Sequence, residues 1–222
     1  ADVTSDTHVR IPAGLVEWAL NAAPKRVVLA NRFGERVMPL ERHNVFYGPG
    51  SDCPNVIDFN TGQRRPGTLA DIAEGIRVCD ALPNIDFIMS LNLAGDMPQE
   101  YADLYQMQAM LTNSTKPILF VTTEFEGSVK AVEMAEIVAG GAEALRRNPQ
   151  CALYINVTAP LVHNREALQK LLFMAEKGLP TTYTPVVLRG ASGPITPAGA
   201  VAYANAGELA GLVIAQLKRP GT

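Results

Sequence analysis

Four short apolar runs recur along this chain at nearly even spacing, and that spacing restricts the fold more than any other feature. They occupy residues 87–91, 118–122, 152–157 and 183–187, so their starts fall 31, 34 and 31 residues apart. Each run is largely continuous in its apolar residues instead of alternating, as a strand covered on both faces must be. Helix-period stretches separate the runs. Strand, crossover helix and next strand in this rhythm make βα units, whose strands lie parallel.

The helices between the runs have legible ends. Thr68 followed by Asp71 marks the cap and first turn of a helix over 68–82, with Pro83 just beyond it. Pro98 opens a second over 98–112, because proline is pre-organised for a first helical turn. Two more fit 128–147 and 164–177, the latter closed by Gly178. A last helix starts at Thr196-Pro197 and ends before Pro220. Ahead of residue 67 the character differs: an amphipathic helix over 9–23, a hairpin of 27–30 and 35–38 around Phe33-Gly34, and a Gly-turned ribbon over 55–63. Residues 45–48 fit a first strand of the parallel set. The expected organisation is therefore a lead-in over 1–66 and βα units over 67–222.

Such units give an α/β protein, and the expectation is a TIM-type (β/α) barrel that is incomplete, with about five βα units and an N-terminal helix and β-hairpin appendage. The rival, an open doubly wound sheet, calls for a G-x-G-x-x-G or P-loop turn, and neither pattern occurs. A whole barrel takes about 250 residues and eight units. The chain therefore reads as an internal piece of a longer protein, with two raw sheet edges that a partner chain or further sequence would cover, and a homo-oligomer is expected. Net charge is -3, with no basic run longer than two residues, which argues against a nucleic-acid partner. The 3 cysteines are widely spaced without a nearby histidine, unlike a disulfide framework or zinc site, and a cytoplasmic location is expected. The apolar stretch 197–217 carries Asn205 and Glu208 and reads as a buried helix of a soluble protein, not a membrane span.

In a barrel, side chains at strand carboxyl ends and in the following loops converge on one mouth. Those positions hold Asp96 after the first run, Glu124 after the second, Asn156 and His163 at and after the third, and Gly190, Ser192, Gly193 and Thr196 after the fourth. These eight are the candidate substrate-binding residues. Asp96 and Glu124 offer carboxylates for a cation or for acid/base work, with helix capping as the plainer role. Gly190 and Gly193 allow close backbone approach, and Thr196-Pro197 starts a helix whose amides suit an anion. No lysine sits where a Schiff base would need one, no metal-ligand spacing occurs, and no catalytic residue is assigned.

Several ordered motifs carry a family resemblance. Gly190-Ala191-Ser192-Gly193-Pro194-Ile195-Thr196, Ala204-Asn205-Ala206-Gly207-Glu208 and Arg219-Pro220-Gly221 are joined by Thr61-Gly62-Gln63-Arg64-Arg65-Pro66, Asp80-Ala81-Leu82-Pro83-Asn84-Ile85-Asp86 and Ala159-Pro160-Leu161. With these the chain resembles the trimethylamine methyltransferase family. The resemblance implies a TIM barrel that passes a methyl group from a methylated amine, such as trimethylamine or glycine betaine, to the cobalt of a corrinoid (cobalamin) carried by a separate cognate protein. It also implies that the pyrrolysine position found in some members lies beyond Thr222. Two alternatives stand beside it: a non-catalytic fragment of such an enzyme, and an unrelated TIM-barrel lyase using a carboxylate base.

Overall fold

The computed structural model describes the backbone of residues 2–5 and all of residues 7–222. The chain opens with a short antiparallel pair, β1 (Asp2–Ser5) and β2 (His8–Arg10), then α1 (Ala13–Ala22). The expected helix over 9–23 is thus shorter, because its first residues are taken by β2. Next come the antiparallel ribbons β3 (Val27–Ala30) with β4 (Arg36–Leu40), where the turn chemistry places it, and β5 (Asn55–Ile57) with β6 (Arg64–Pro66), whose return strand lies just beyond the expected 55–63. After these follow α2 (Leu69–Ala81), α3 (Ala102–Asn113), β7 (Ile118–Phe120), α4 (Phe125–Ala139) and α5 (Ala142–Arg147). The series ends with β8 (Cys151–Val157), α6 (Arg165–Lys177), β9 (Thr181–Pro185) and α7 (Pro197–Lys218). The result is a mixed α/β fold whose parallel sheet has the order β7-β8-β9.

Two compact units divide these elements, residues Arg26–Leu153 in one and Ala1–Lys25 with Tyr154–Thr222 in the other. Within the first, segments that follow one another in sequence are also neighbours in space. Asp86 donates its amide to the Tyr47 carbonyl at 2.6 Å, and Leu91 donates to Gly50 at 3.0 Å. Ile88 makes a parallel bridge to Ile118, and β7 pairs in parallel with the start of β8, Ile118 opposite Cys151. The runs at 45–48 and 87–91 therefore lie side by side, but instead of the full strands expected the second forms a single isolated bridge, at Ile88, and the first forms none. The reason is visible at Leu91, whose φ of 68° turns the chain out of the extended region. Below the strands, the β3–β4 ribbon meets their amino-terminal ends: Ala30 donates to Pro149 at 2.7 Å and Arg32 to Thr115 at 2.8 Å. Leu29 and Met38 bury themselves there against Ala152, with Phe46, Phe87 and Leu119 packed around them.

Helix α2 shows why the local sequence folds as it does. Thr68 and Asp71 form the reciprocal capping box, and Ile72 with Ile76, four residues apart on one face, are fully buried. Each such side chain contributes about 1.5–3 kcal/mol by leaving water. Two helix boundaries differ from expectation. Residues 98–101 form a turn, with Tyr101 donating to Pro98, and α3 begins only at Ala102. The single helix expected over 128–147 is two, because Gly140 (φ 86°) and Gly141 (φ 125°) leave helical space and end α4.

In the other unit, the second half of β8 continues beside β9, and α7 packs against α1, α6 and β9. Asn164 caps α6 by accepting from the Ala167 amide at 2.7 Å, and Gly178 closes it in the left-handed conformation. Strand β9 lies two residues earlier than the expected 183–187: Thr181 and Thr182 are in it, whereas Val186 and Val187 are not. Helix α7 buries Ala200, Gly207 and Gly211 on one face and, toward its end, Val213 and Gln216 on the opposite face, while Val201 and Leu217 face solvent. By length and composition alone it is long and apolar enough to cross a membrane. Its small residues instead receive neighbours: a Cβ on Gly207 would strike the Pro160 carbonyl, and one on Gly211 would strike the Tyr183 ring.

Candidate functional site

Polar side chains gather at strand carboxyl ends in both units. In the unit of residues 26–153, Asp96 follows the first run, and its Oδ1 accepts from the Leu69 amide at 2.8 Å. It therefore stabilises the amino end of α2, the neighbouring helix, and not the helix that follows it in sequence. Buried Asn92 braces the same corner, donating to the Thr68 and Leu93 carbonyls at 3.2 and 2.9 Å. Leu91, just before it, holds its positive φ of 68° against the side-chain preference of a bulky residue. Strain of this kind persists where surrounding structure imposes it and clusters at functional loops. After β7, the Thr123 amide is held by Asp103 at 2.6 Å, and Glu124 occupies the cap position of α4 without a side-chain capping bond. Its carboxylate is exposed.

The other unit carries the remaining six candidates. Asn156 is exposed near the end of β8. His163, in the loop that follows, sits half-buried with Nδ1 2.7 Å from the Tyr183 hydroxyl of β9, the two rings stacked at 5.8 Å and 6°. Burial lowers the imidazole below its ordinary value and raises the Tyr183 phenol well above its own. Both groups are thus held neutral, and one shared proton bond fixes the ring orientation of each. Three residues on, in the first turn of α6, the Glu166 Oε2 atom is buried and has no hydrogen-bond partner. A buried carboxylate oxygen in that state is costly and calls for a partner.

The glycine-rich loop is closed on itself. The amides of Ala191, Ser192 and Gly193 all donate to the Leu188 carbonyl, at 3.0, 3.0 and 3.2 Å, and Gly190 donates to Gly193 at 3.0 Å. Ser192 Oγ accepts from the Leu188 amide at 2.9 Å. Gly190 has the φ of 78° that such a turn requires. These amides are engaged within the loop, so an anion held there would have to displace them. Thr196 caps α7, its Oγ1 accepting from Gly199 at 3.3 Å. Among the described residues no group of three or more His, Cys, Asp or Glu side chains is placed to hold a metal ion.

Reading the chain alone missed Tyr183 as the partner of His163, the orphaned oxygen of Glu166 and the strained Leu91. The first is a contact across 20 positions and leaves no local pattern. Glu166 has the place of an ordinary first-turn acid, and backbone strain at leucine has no compositional signature.

Sequentially adjacent strands with helices between them, and polar groups at the strand carboxyl ends, define an α/β protein built of βα units. The sequence profile of the trimethylamine methyltransferase family (MTTB) matches residues 1–222, and the chain belongs to that family. Trimethylamine methyltransferase MttB of Desulfitobacterium hafniense (strain DSM 10664 / DCB-2) is 29% identical over 213 residues, covering 96% of this chain and 43% of its own length. Glycine betaine methyltransferase of Desulfitobacterium hafniense (strain Y51) is 28% identical, over 97% of this chain and 45% of its own. Trimethylamine methyltransferase MttB1 of Methanosarcina mazei is 28% identical, with 99% and 46% covered. The chain thus spans less than half the length of these curated relatives.

Proposed function

We propose that the whole protein moves a methyl group from a methylated amine, either trimethylamine or a quaternary amine such as glycine betaine, to Co(I) of a corrinoid on a separate cognate protein. The observation that carries this reading is the family match along all of residues 1–222, with relatives named for both kinds of amine. Chemistry supports it. When the methyl carbon is attacked, the C–N bond breaks and its electron pair stays on nitrogen, which departs as a neutral amine. A quaternary nitrogen needs no proton for this, and trimethylamine meets the same condition once protonated. The protein then has to orient the substrate, exclude water and place charge.

The reading includes a TIM-type barrel, with residues 1–66 as lead-in and 67–222 as βα units, the corrinoid protein docking over the strand carboxyl ends. Support comes from the succession of parallel neighbours 86–93, 118–120 and 151–153. Asp96, Glu124, Asn156, His163, Gly190, Ser192, Gly193 and Thr196 are proposed to line the substrate path, joined by Tyr183 and Glu166. Glu166 would face the cationic nitrogen, which has no hydrogen to donate when quaternary.

The test uses the full-length protein with its reduced corrinoid partner and a panel of trimethylamine, glycine betaine and related amines. Loss of the Co(I) absorption on adding one of these amines is expected. An unchanged spectrum across the panel sinks the reading, and turnover of a substrate without any corrinoid would favour lyase chemistry instead.

A further inference from the structure

The corner around Asn92 holds a polar atom that the fold orients and leaves unbonded. Asn92 is 3% exposed, and its Nδ2 donates to the carbonyls of Thr68 and Leu93 at 3.2 and 2.9 Å. Both partners can only accept, so nitrogen is the amide atom that faces them and Oδ1 points the other way. That oxygen accepts from no group among the described residues. It is not sealed in either, because the sealed side-chain atom without a partner among the described residues is Glu166 Oε2.

The surroundings keep this amide in place. Asn92 takes the carbonyl of the Thr68–Leu69 peptide group and Asp96 takes the amide of the same group at 2.8 Å, so two side chains clamp one peptide from opposite sides. Gly67 leaves the space for Nδ2, since a Cβ there would strike it. Gly75 likewise leaves the space for the side chain of Leu91, whose φ of 68° sets the direction of the chain entering Asn92. Along the sheet, both flanks of the run belong to this chain. Cys53 bridges Asn92 in parallel and accepts from the Leu93 amide at 3.0 Å, while Ile88 bridges Ile118 on the other side. A strand from the rest of the protein therefore has no place beside this run, and what reaches Oδ1 comes past the strand end, where Asp96 stands on the proposed substrate path.

We propose that Asn92 Oδ1 accepts the N–H of a protonated tertiary methylamine and so selects trimethylammonium over a quaternary amine of similar size. The inference rests on the methyl-transfer reading and deepens it. A carboxamide oxygen is a good acceptor but far too weak a base to remove the proton, so the nitrogen stays cationic. When its methyl group is transferred, the C–N electron pair remains on nitrogen together with that hydrogen, and dimethylamine leaves neutral. A quaternary nitrogen offers no hydrogen, and seating it would strip water from Oδ1 without replacing the bond. A site built around a substrate donor rejects the analogue that lacks it.

Calorimetric titration of the full-length protein with trimethylammonium and with tetramethylammonium at neutral pH, with no corrinoid present, measures this choice. Wild type is expected to bind trimethylammonium about tenfold more tightly. Asn92→Ala should erase that preference by weakening trimethylammonium alone, and Gly67→Ala should do the same by pushing the amide off its seat. Circular dichroism checks that both fold. If either does not, a crystal structure of the full-length wild type soaked with trimethylammonium decides, with the amine nitrogen expected about 2.7–3.2 Å from Oδ1. The proposal is overturned by a wild type without the preference, by a folded variant that keeps it or loses both ligands equally, or by an Oδ1 that lacks the amine or is engaged by a donor from elsewhere in the chain. A missing preference alongside intact methyl transfer refutes the role of Asn92 alone, whereas failure of the corrinoid assay refutes the reaction.

Discussion

Asp71 holds a helix cap and an arginine at once. Its Oδ2 accepts from the Thr68 amide at 2.8 Å, the Thr68 hydroxyl at 2.7 Å and Arg65 at 2.6 Å, and its Oδ1 accepts from Arg65 at 2.8 Å. The guanidinium keeps this carboxyl far below the usual carboxylate range. A depressed carboxyl contributes stability that is complete above its unfolded value, near 3.8, and is lost as pH falls toward its folded one. Asp71→Ala is therefore expected to cost about 1–2 kcal/mol in urea unfolding at neutral pH, with the difference from wild type shrinking below about pH 4. An undiminished difference in acid would show that charge is not involved. His163 has the same sign at a different pH. Its folded value lies below the ordinary 6.5, so the neutral ring is favoured in the fold and stability declines as pH drops below that value. His163→Gln should flatten that decline in a series of melting temperatures, and a slope equal to wild type would refute it. At Glu166 the readout is catalytic: Glu166→Gln in the full-length protein should raise KM for a quaternary amine several-fold with kcat less affected, as loss of uniform ground-state binding does. The capping residues were legible because their signal is a fixed local spacing. The His163–Tyr183 bond and the orphaned Glu166 oxygen depend on tertiary packing, which single-chain spacing does not encode.

Two glycines with opposite surroundings test how the helices are held. Gly207 on α7 faces the Pro160 carbonyl, backbone that cannot step aside, with Pro185 Cβ next nearest at 3.1 Å. Gly207→Ala is expected to destabilise by about 1–3 kcal/mol through overpacking. Gly14 on α1 has nothing within 4 Å of a built Cβ, and Gly14→Ala should stabilise by about 0.5 kcal/mol by restricting the unfolded chain. Chemical denaturation of both variants settles the contrast; equal and opposite signs reversed would mean that α7 does not pack on the 158–163 loop as described. Element type was readable wherever periodicity ran long, as in α2, α6 and α7. Boundaries failed where one residue class served two purposes. Pro98 begins a turn as readily as a helix, and Gly140-Gly141 interrupts a stretch whose apolar period continues through it. The strand over 181–185 was misplaced because valines at 186 and 187 looked more strand-like than the threonines that pair.

At the scale of the molecule, the unfinished business is the free side of β9. In the sheet order β7-β8-β9 it is the last strand, and the amides pointing away from β8 have no strand beside them among the described residues. A bare parallel edge is a liability that proteins cover, and the curated relatives are more than twice as long as this chain. The barrel reading requires a further strand from the rest of the protein at that edge. Hydrogen exchange on the full-length protein tests this directly, because an amide engaged in a ladder exchanges only when the strand opens, whereas one facing water exchanges near its intrinsic rate. The away-facing amides between Thr181 and Pro185 are expected to be protected to the same degree as those of β8. The outer side of β4 in the two-stranded β3–β4 ribbon, which has no strand beside it among the described residues, supplies the fast-exchanging comparison within the same sample. If the β9 amides exchange as quickly as the outer amides of that ribbon, no strand follows β9 in the sheet. The barrel must then give way to an open sheet, while family membership, which rests on sequence, stands unaffected.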